Sequence, residues 1–121
     1  MSWDAEVKEI HERRALAKAM GGESGIERQR RKGVSTIRER IGGLLDESSF
    51  REHGEGAGEP EYDDDGNLVS LTPPNYVVGV GKIDDRQVVV GGEDFSLRGG
   101  SPNPSGLRKS IYVEDLALKF K

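Results

Sequence analysis

Two features of this sequence could do chemistry: glycines that admit a ligand to the main chain, and a dense knot of cations. Arg98-Gly99-Gly100-Ser101 follows, after seven residues, the β-branched run Val88–Val90. Without a Cβ, glycine lets backbone N–H groups come close to a ligand, so Gly99, Gly100 and Ser101 are candidates for lining a ligand pocket. The plainer alternative is a turn that redirects the chain. Arg28, Arg30, Arg31 and Lys32 form the densest basic run. Arg28, Arg31 and Lys32 are candidates for phosphate contact; against that, such clusters on short helices usually form solvated faces or ion pairs to another subunit.

Other chemistries find little support. There are no cysteines, hence no disulfide, thiolate metal site or cysteine nucleophile. His11 and His53, the two histidines, lie far apart in the chain. Asp63-Asp64-Asp65-Gly66-Asn67 has the beginning of a calcium loop but lacks the third ligand and the bidentate glutamate, so a solvated turn is expected. Gly79-Val80-Gly81 opens no helix and is not a dinucleotide fingerprint.

Charge is uneven along the chain. Residues 1–51 carry eleven basic and nine acidic side chains, residues 52–75 carry seven acidic and no basic ones, and residues 76–121 carry seven and six. No sustained basic face exists for a nucleic-acid backbone, so no nucleic-acid partner is expected. No apolar run approaches the roughly 18–20 residues needed to cross a bilayer, and the first ten residues lack the pattern of a signal peptide. The cytoplasm is the expected compartment. With 33% apolar residues and 17 glycines the core should be thin, and a partner surface covering part of it is expected.

These residues need elements to hold them. Residues 3–20 read as an amphipathic helix with Trp3, Val7, Ile10, Leu16, Ala17 and Met20 on one stripe, closed by Gly21-Gly22. A second helix is expected over 24–33, with Ser24 as N-cap. A third starts at Ser35-Thr36, with Glu39 at capping-box spacing and Ile37, Ile41, Leu44 and Leu45 inward. Gly42-Gly43 implies a close neighbour or an early end. Residues 51–75 read as a long polar loop. Two strands follow, 75–83 and 87–95, joined by Asp84-Asp85-Arg86, with the Val88–Val90 run central and buried. A last helix over 107–120 should turn Ile111, Leu116 and Phe120 inward. The domain division is therefore a helical segment (1–50), an acidic mobile loop (51–74), and a β-hairpin with a crossover helix (75–121). A hairpin with one crossover helix does not close a sheet, so the fold, α/β with α+β as the alternative, is expected to be incomplete.

The stretches MGGESGIERQRRKG (20–33), STIRERIGGLLDESSF (35–50), NYVVGVGKIDDRQVVVGGEDFSLRGGS (75–101) and LALK (116–119) occur in the order found in one family. The chain resembles the N-terminal portion of the carboxyltransferase (β) subunits of biotin-dependent acyl-CoA carboxylases, the propionyl-CoA carboxylase-like enzymes. The resemblance implies the start of a crotonase-like ββα spiral. It also implies a part in moving a carboxyl group from carboxybiotin to an acyl-CoA, with backbone donors stabilising the oxyanions. Gly99, Gly100 and Ser101 would then lie along the acyl-CoA pocket, and Arg28, Arg31 and Lys32 near CoA phosphates. The implied partners are the remaining carboxyltransferase or a companion subunit, an acyl-CoA, a biotin carboxyl carrier and further copies in an oligomer. No cofactor would be bound directly. The alternative is a non-catalytic assembly or regulatory module descended from that family.

Overall fold

Two β-branched runs joined by two aspartates make the centre of the fold. The computed structural model describes residues 2–120. In it β4 (Tyr76–Ile83) pairs antiparallel with β5 (Arg86–Glu93), setting Gly79 opposite Val90 and Ile83 opposite Arg86. The connection is shorter than expected. Only Asp84 and Asp85 lie in it, at φ 49° and 65°, the pair of positive values that a type I′ turn requires. The amides of Asp84 and Asp85 donate to Oδ1 and Oδ2 of Asp46 at 2.9 and 2.8 Å, bracing the turn from outside. Asp46→Ala should therefore cost about 1–2 kcal/mol. The check is a urea titration, in which the midpoint falls with m unchanged. An unmoved midpoint would remove the brace from the account.

β1 (Arg51–Glu52) joins the other side of β4, so the sheet runs β1-β4-β5. The central strand is thus β4, where Val78 and Val77 are 0% and 3% exposed. The Val88–Val90 run lies in β5, which has one neighbour among the described residues, and it is only half-buried. The difference comes from β1, which flanks β4 alone, since α3 (Ile37–Leu44) and α4 (Pro104–Phe120) touch both strands. β4 has α3 on one face and α4 on the other. Ile41, Leu45 and Val77 form the buried cluster, flanked by Ile37, Phe50, Ile83, Val88 and Val90. Leu45 comes so close to β4 that a Cβ on Gly81 would stand 2.5 Å from its Cδ1, so this strand needs glycine there.

Helix ends follow local chemistry where a cap exists. Thr36 Oγ1 accepts from the Glu39 amide at 3.2 Å, as the capping-box spacing predicts. Nothing lies within 4 Å of a Cβ at Gly42 or Gly43, so that pair marks an early helix end, not a close neighbour. Leu44 is exposed and leaves the expected stripe. α1 (Asp4–Lys18) has Ala17 buried but Trp3, Val7 and Ile10 exposed. α2 (Gly22–Arg31) begins ahead of Ser24, which is therefore not its N-cap. A tertiary contact starts it instead: the Gly21 amide donates to Ser96 Oγ at 2.9 Å.

Residues 51–75 hold more structure than a loop. After β1, β2 (Glu59–Tyr62) and β3 (Leu68–Thr72) form an antiparallel hairpin. Its turn is organised by Asp63, whose Oδ1 accepts from the amides of Asp65 and Asn67 at 3.0 and 2.8 Å. Those bonds, the one from Asn67 first, hold the Asp63 carboxyl below the usual carboxylate range. The hairpin leans on α1, where Arg13 donates to Tyr62 Oη at 2.6 Å and the Tyr62 hydroxyl donates to Glu9.

α4 starts at Pro104, three residues earlier than expected, because Asn103 caps it: Oδ1 accepts from the Gly106 amide at 2.7 Å. Its inward face is Gly106, Lys109 and Leu116. Ile111 and Phe120, expected inward, are 60% and 51% exposed. The contact of Gly106 sets this rotation. A Cβ there would stand 2.2 Å from Asn75 Oδ1, so the helix can approach only with that glycine inward.

Candidate functional site

The segment between β5 and α4 carries the candidate glycines, and buried polar residues hold it at both ends. Asp94, 2% exposed, accepts at Oδ1 from the Ser96 amide at 2.9 Å and from the Ser96 hydroxyl. Ser96 in turn binds the start of α2, through the Gly21 amide described above. At the far end, Asn75 Nδ2 donates to the Ser101 carbonyl, and Asn75 Oδ1 accepts from the Asn103 amide at 3.2 Å. Asn103 Nδ2 donates to the Pro73 carbonyl at 3.1 Å.

Between these anchors Arg98, Gly99 and Gly100 lie at φ 48°, 60° and 83° and make a short 3-10 turn. The turn consumes two of the three expected donors: the Gly100 amide bonds the Leu97 carbonyl at 2.9 Å and the Ser101 amide bonds the Arg98 carbonyl at 3.1 Å. Gly99 remains, and nothing lies within 4 Å of a Cβ built on it. Gly100 packs against the Phe95 ring, which a Cβ there would meet at 2.5 Å.

Gly99 opens onto a cleft of about 840 Å³ between α2, α3 and the end of β5. Arg28 of α2 and Lys32 at its C-cap, four residues apart, reach it together with Arg40 of α3. Among the described residues Glu93 is its only acidic lining residue, against Arg28, Lys32 and Arg40, so the cleft lining is net positive. Arg28 also donates to the Ser96 carbonyl at 3.5 Å. Arg31 is not in the cleft; it pairs with Glu27 at 3.0 Å along the same helix, and Arg30 pairs with Glu39 at 3.4 Å. The structure thus gathers Arg28, Lys32 and Gly99, and separates Arg31, Gly100 and Ser101 from them.

Four lining residues are additions to the sequence reading. Phe95 lies 53% exposed at the rim. Tyr76 is half-buried, and burial, with Glu93 next, raises its phenol above the ordinary range, keeping it a neutral donor. Gln29 is 8% exposed and its Oε1 has no hydrogen-bond partner among the described residues. Arg40 follows Ile37 by three residues, so the two share a face of α3 and both line the cleft. A positive cleft with an open aromatic ring and an accessible glycine suits a ligand that combines phosphates with a planar group.

The comparisons with known proteins agree with one another. Residues 28–121 match the carboxyl transferase domain family. The alpha subunit of methylmalonyl-CoA decarboxylase from Veillonella parvula is 33% identical over 95% of this chain and 23% of its own length. The propionyl-CoA carboxylase beta chain of Cereibacter sphaeroides is 34% identical over 93% of this chain and 22% of its own. A biotin-dependent acetyl-/propionyl-coenzyme A carboxylase beta5 subunit of Mycobacterium tuberculosis is 35% identical over 94% of this chain and 21% of its own. Among solved structures, the hexameric transcarboxylase 12S with methylmalonyl-coenzyme A bound superposes at a TM-score of 0.78 and 30% identity, over 99% of this chain and 23% of that one. The chain therefore spans less than a quarter of the length of these relatives. With α3, the sheet and α4 all inside the matched region, the chain belongs to the carboxyl transferase domain family.

Proposed function

We propose that this chain is the N-terminal part of an acyl-CoA carboxyltransferase and supplies one wall of its acyl-CoA pocket. The observation that carries the reading is the positive cleft that joins Arg28 and Lys32 to Gly99. In the complete enzyme a carboxyl group passes from carboxybiotin to the α-carbon of an acyl-CoA. Biotin belongs to a carrier protein in this reading, and no residue of this cleft is assigned to it. What the chain itself contributes is positioning. Arg28, Lys32 and Arg40 neutralise the phosphates of CoA, and the exposed Phe95 ring stacks on its base. Among the described residues the Gly99 amide makes no bond within the turn, which leaves it for a ligand oxygen. Gly100 and Ser101 act at one remove, by shaping the turn, and Arg31 contributes only through its ion pair. The partners are the rest of the carboxyltransferase, a biotin carboxyl carrier and further copies of the same assembly, in the cytoplasm.

One observation favours the second reading, an assembly module without catalysis. Leu107, Ile111 and Leu118 form an exposed stripe on α4, and Trp3, Val7 and Ile10 another on α1.

Calorimetric titration of the chain with CoA separates the two. The pocket-wall reading expects saturable binding that weakens as salt rises. It also expects Arg28→Gln with Lys32→Gln to weaken that binding by about tenfold or more, since two charge-assisted contacts are lost. An assembly module gives no CoA-dependent heat, and that result overturns the first reading.

A further inference from the structure

Lys109 lies in the second turn of α4 and is 7% exposed, among the most buried charged residues of the chain. A buried ammonium is costly unless it is paired. Yet Lys109 has no ion pair or hydrogen bond among the described residues, because the nearby carboxylates are already engaged. Glu52 accepts both Nη atoms of Arg38, at 2.7 and 2.9 Å. Glu55 pairs with Arg14 at 2.8 Å. Burial lowers the Lys109 ammonium below the ordinary lysine range, and the charges of Glu52 and Glu55, opposed by Arg38, pull it back only in part.

The side chain reaches a groove of about 630 Å³ between the first turns of α4 and residues 53–57. Gly54 makes room for it: a Cβ there would stand 3.2 Å from Lys109 Cε, and Gly54 is at φ 66°. Ser105 and Arg108 line the same wall as Lys109, close to the positive end of a 17-residue helix. Across the groove His53 Nδ1 and the Tyr112 hydroxyl lie 3.0 Å apart and join the two walls. The groove shares no lining residue with the cleft at Gly99.

We propose that this groove binds a small oxyanion, a phosphate or a carboxylate, with Lys109 as its charge partner and Arg108 and the first turn of α4 in support. The groove is larger than a single phosphate. It therefore also admits the organic body that carries the anion, against Ala57 and the Tyr112 ring. This assignment stands independently of the carboxyltransferase reading.

Amide proton–nitrogen spectra of the full chain test it, with sodium phosphate, sodium acetate and sodium chloride titrated at matched ionic strength. The expected result is saturable shifts at Gly54, Ala57, Ser105 and Lys109 with phosphate or acetate and none with chloride. The oxyanion that saturates first identifies the headgroup. Lys109→Met should weaken the affinity by about tenfold or more, and Arg108→Gln, at an exposed position, by about threefold. Shifts that track chloride overturn the proposal, as does a folded Lys109→Met chain that titrates like the parent. Should Lys109→Met not fold, Arg108→Gln and the oxyanion-against-chloride comparison on the parent chain decide the matter by themselves.

Discussion

An Asn75→Ala chain is expected to melt about 10–15 °C below its parent. Asn75 is 2% exposed and holds both sides of the turn that shapes the candidate site. Its amide nitrogen serves the Ser101 carbonyl and its oxygen serves the Asn103 amide. Truncation leaves both of those backbone groups without their partner, at about 1–3 kcal/mol each. For a chain of this size roughly 3 kcal/mol corresponds to the stated drop. Asn75→Asp keeps the acceptor but sets a buried carboxylate oxygen against the Ser101 carbonyl, so it should fall at least as far. A circular-dichroism melt of Asn75→Ala within about 3 °C of the parent would falsify the role given to this residue. The same variant should lose CoA affinity at temperatures where it is still folded, because the turn bearing Gly99 depends on Asn75 for its far anchor.

The second large effect concerns Arg38. Its fork on Glu52 is largely buried, with side-chain exposures of 22% and 8%. Arg38→Met should cost about 3 kcal/mol, the low end for breaking a buried pair, because it strands a carboxylate. Glu52→Met added to it should restore most of that loss, since two apolar chains of similar size leave no charge behind. Denaturant titrations of the two single variants and the double variant measure the coupling directly. Additive losses would mean that the pair contributes packing and no electrostatic interdependence.

What the sequence made legible was chemistry acting over a few residues. Thr36 and Glu39 announced the start of α3, and the paired aspartates with their flanking valines announced the β4–β5 hairpin. Arg28 and Lys32, four apart, were legible as one helical face, and the run of motifs identified the family. What stayed hidden depended on partners distant in sequence. Val88–Val90 looks more apolar than β4, yet the pairing of the distant β1 decides which strand is central. Gly106 against Asn75, 31 positions earlier, turns Ile111 and Phe120 outward and Lys109 inward, against the helix's own apolar pattern. The β2–β3 hairpin has almost no buried alternation, so periodicity gave no sign of it. Arg31 shares the basic run with Lys32 but points a different way around the helix. That angular difference was available in principle, and the run of charges obscured it.

The contacts of α1 have a consequence for how the molecule holds together. Around β4 cohesion comes from apolar side chains that salt does not weaken. Between α1 and the β2–β3 hairpin much of it comes from Glu9, Arg13 and Tyr62, a trio at the surface, and the Arg14–Glu55 pair ties α1 to the segment ahead of that hairpin. Exposed charges of that kind are screened within about 10 Å at 0.1 M ionic strength. The chain is thus built in two grades of firmness. An oily centre is indifferent to the ionic medium, and a flank of helix and hairpin is tethered to it by charges whose grip the surrounding electrolyte sets.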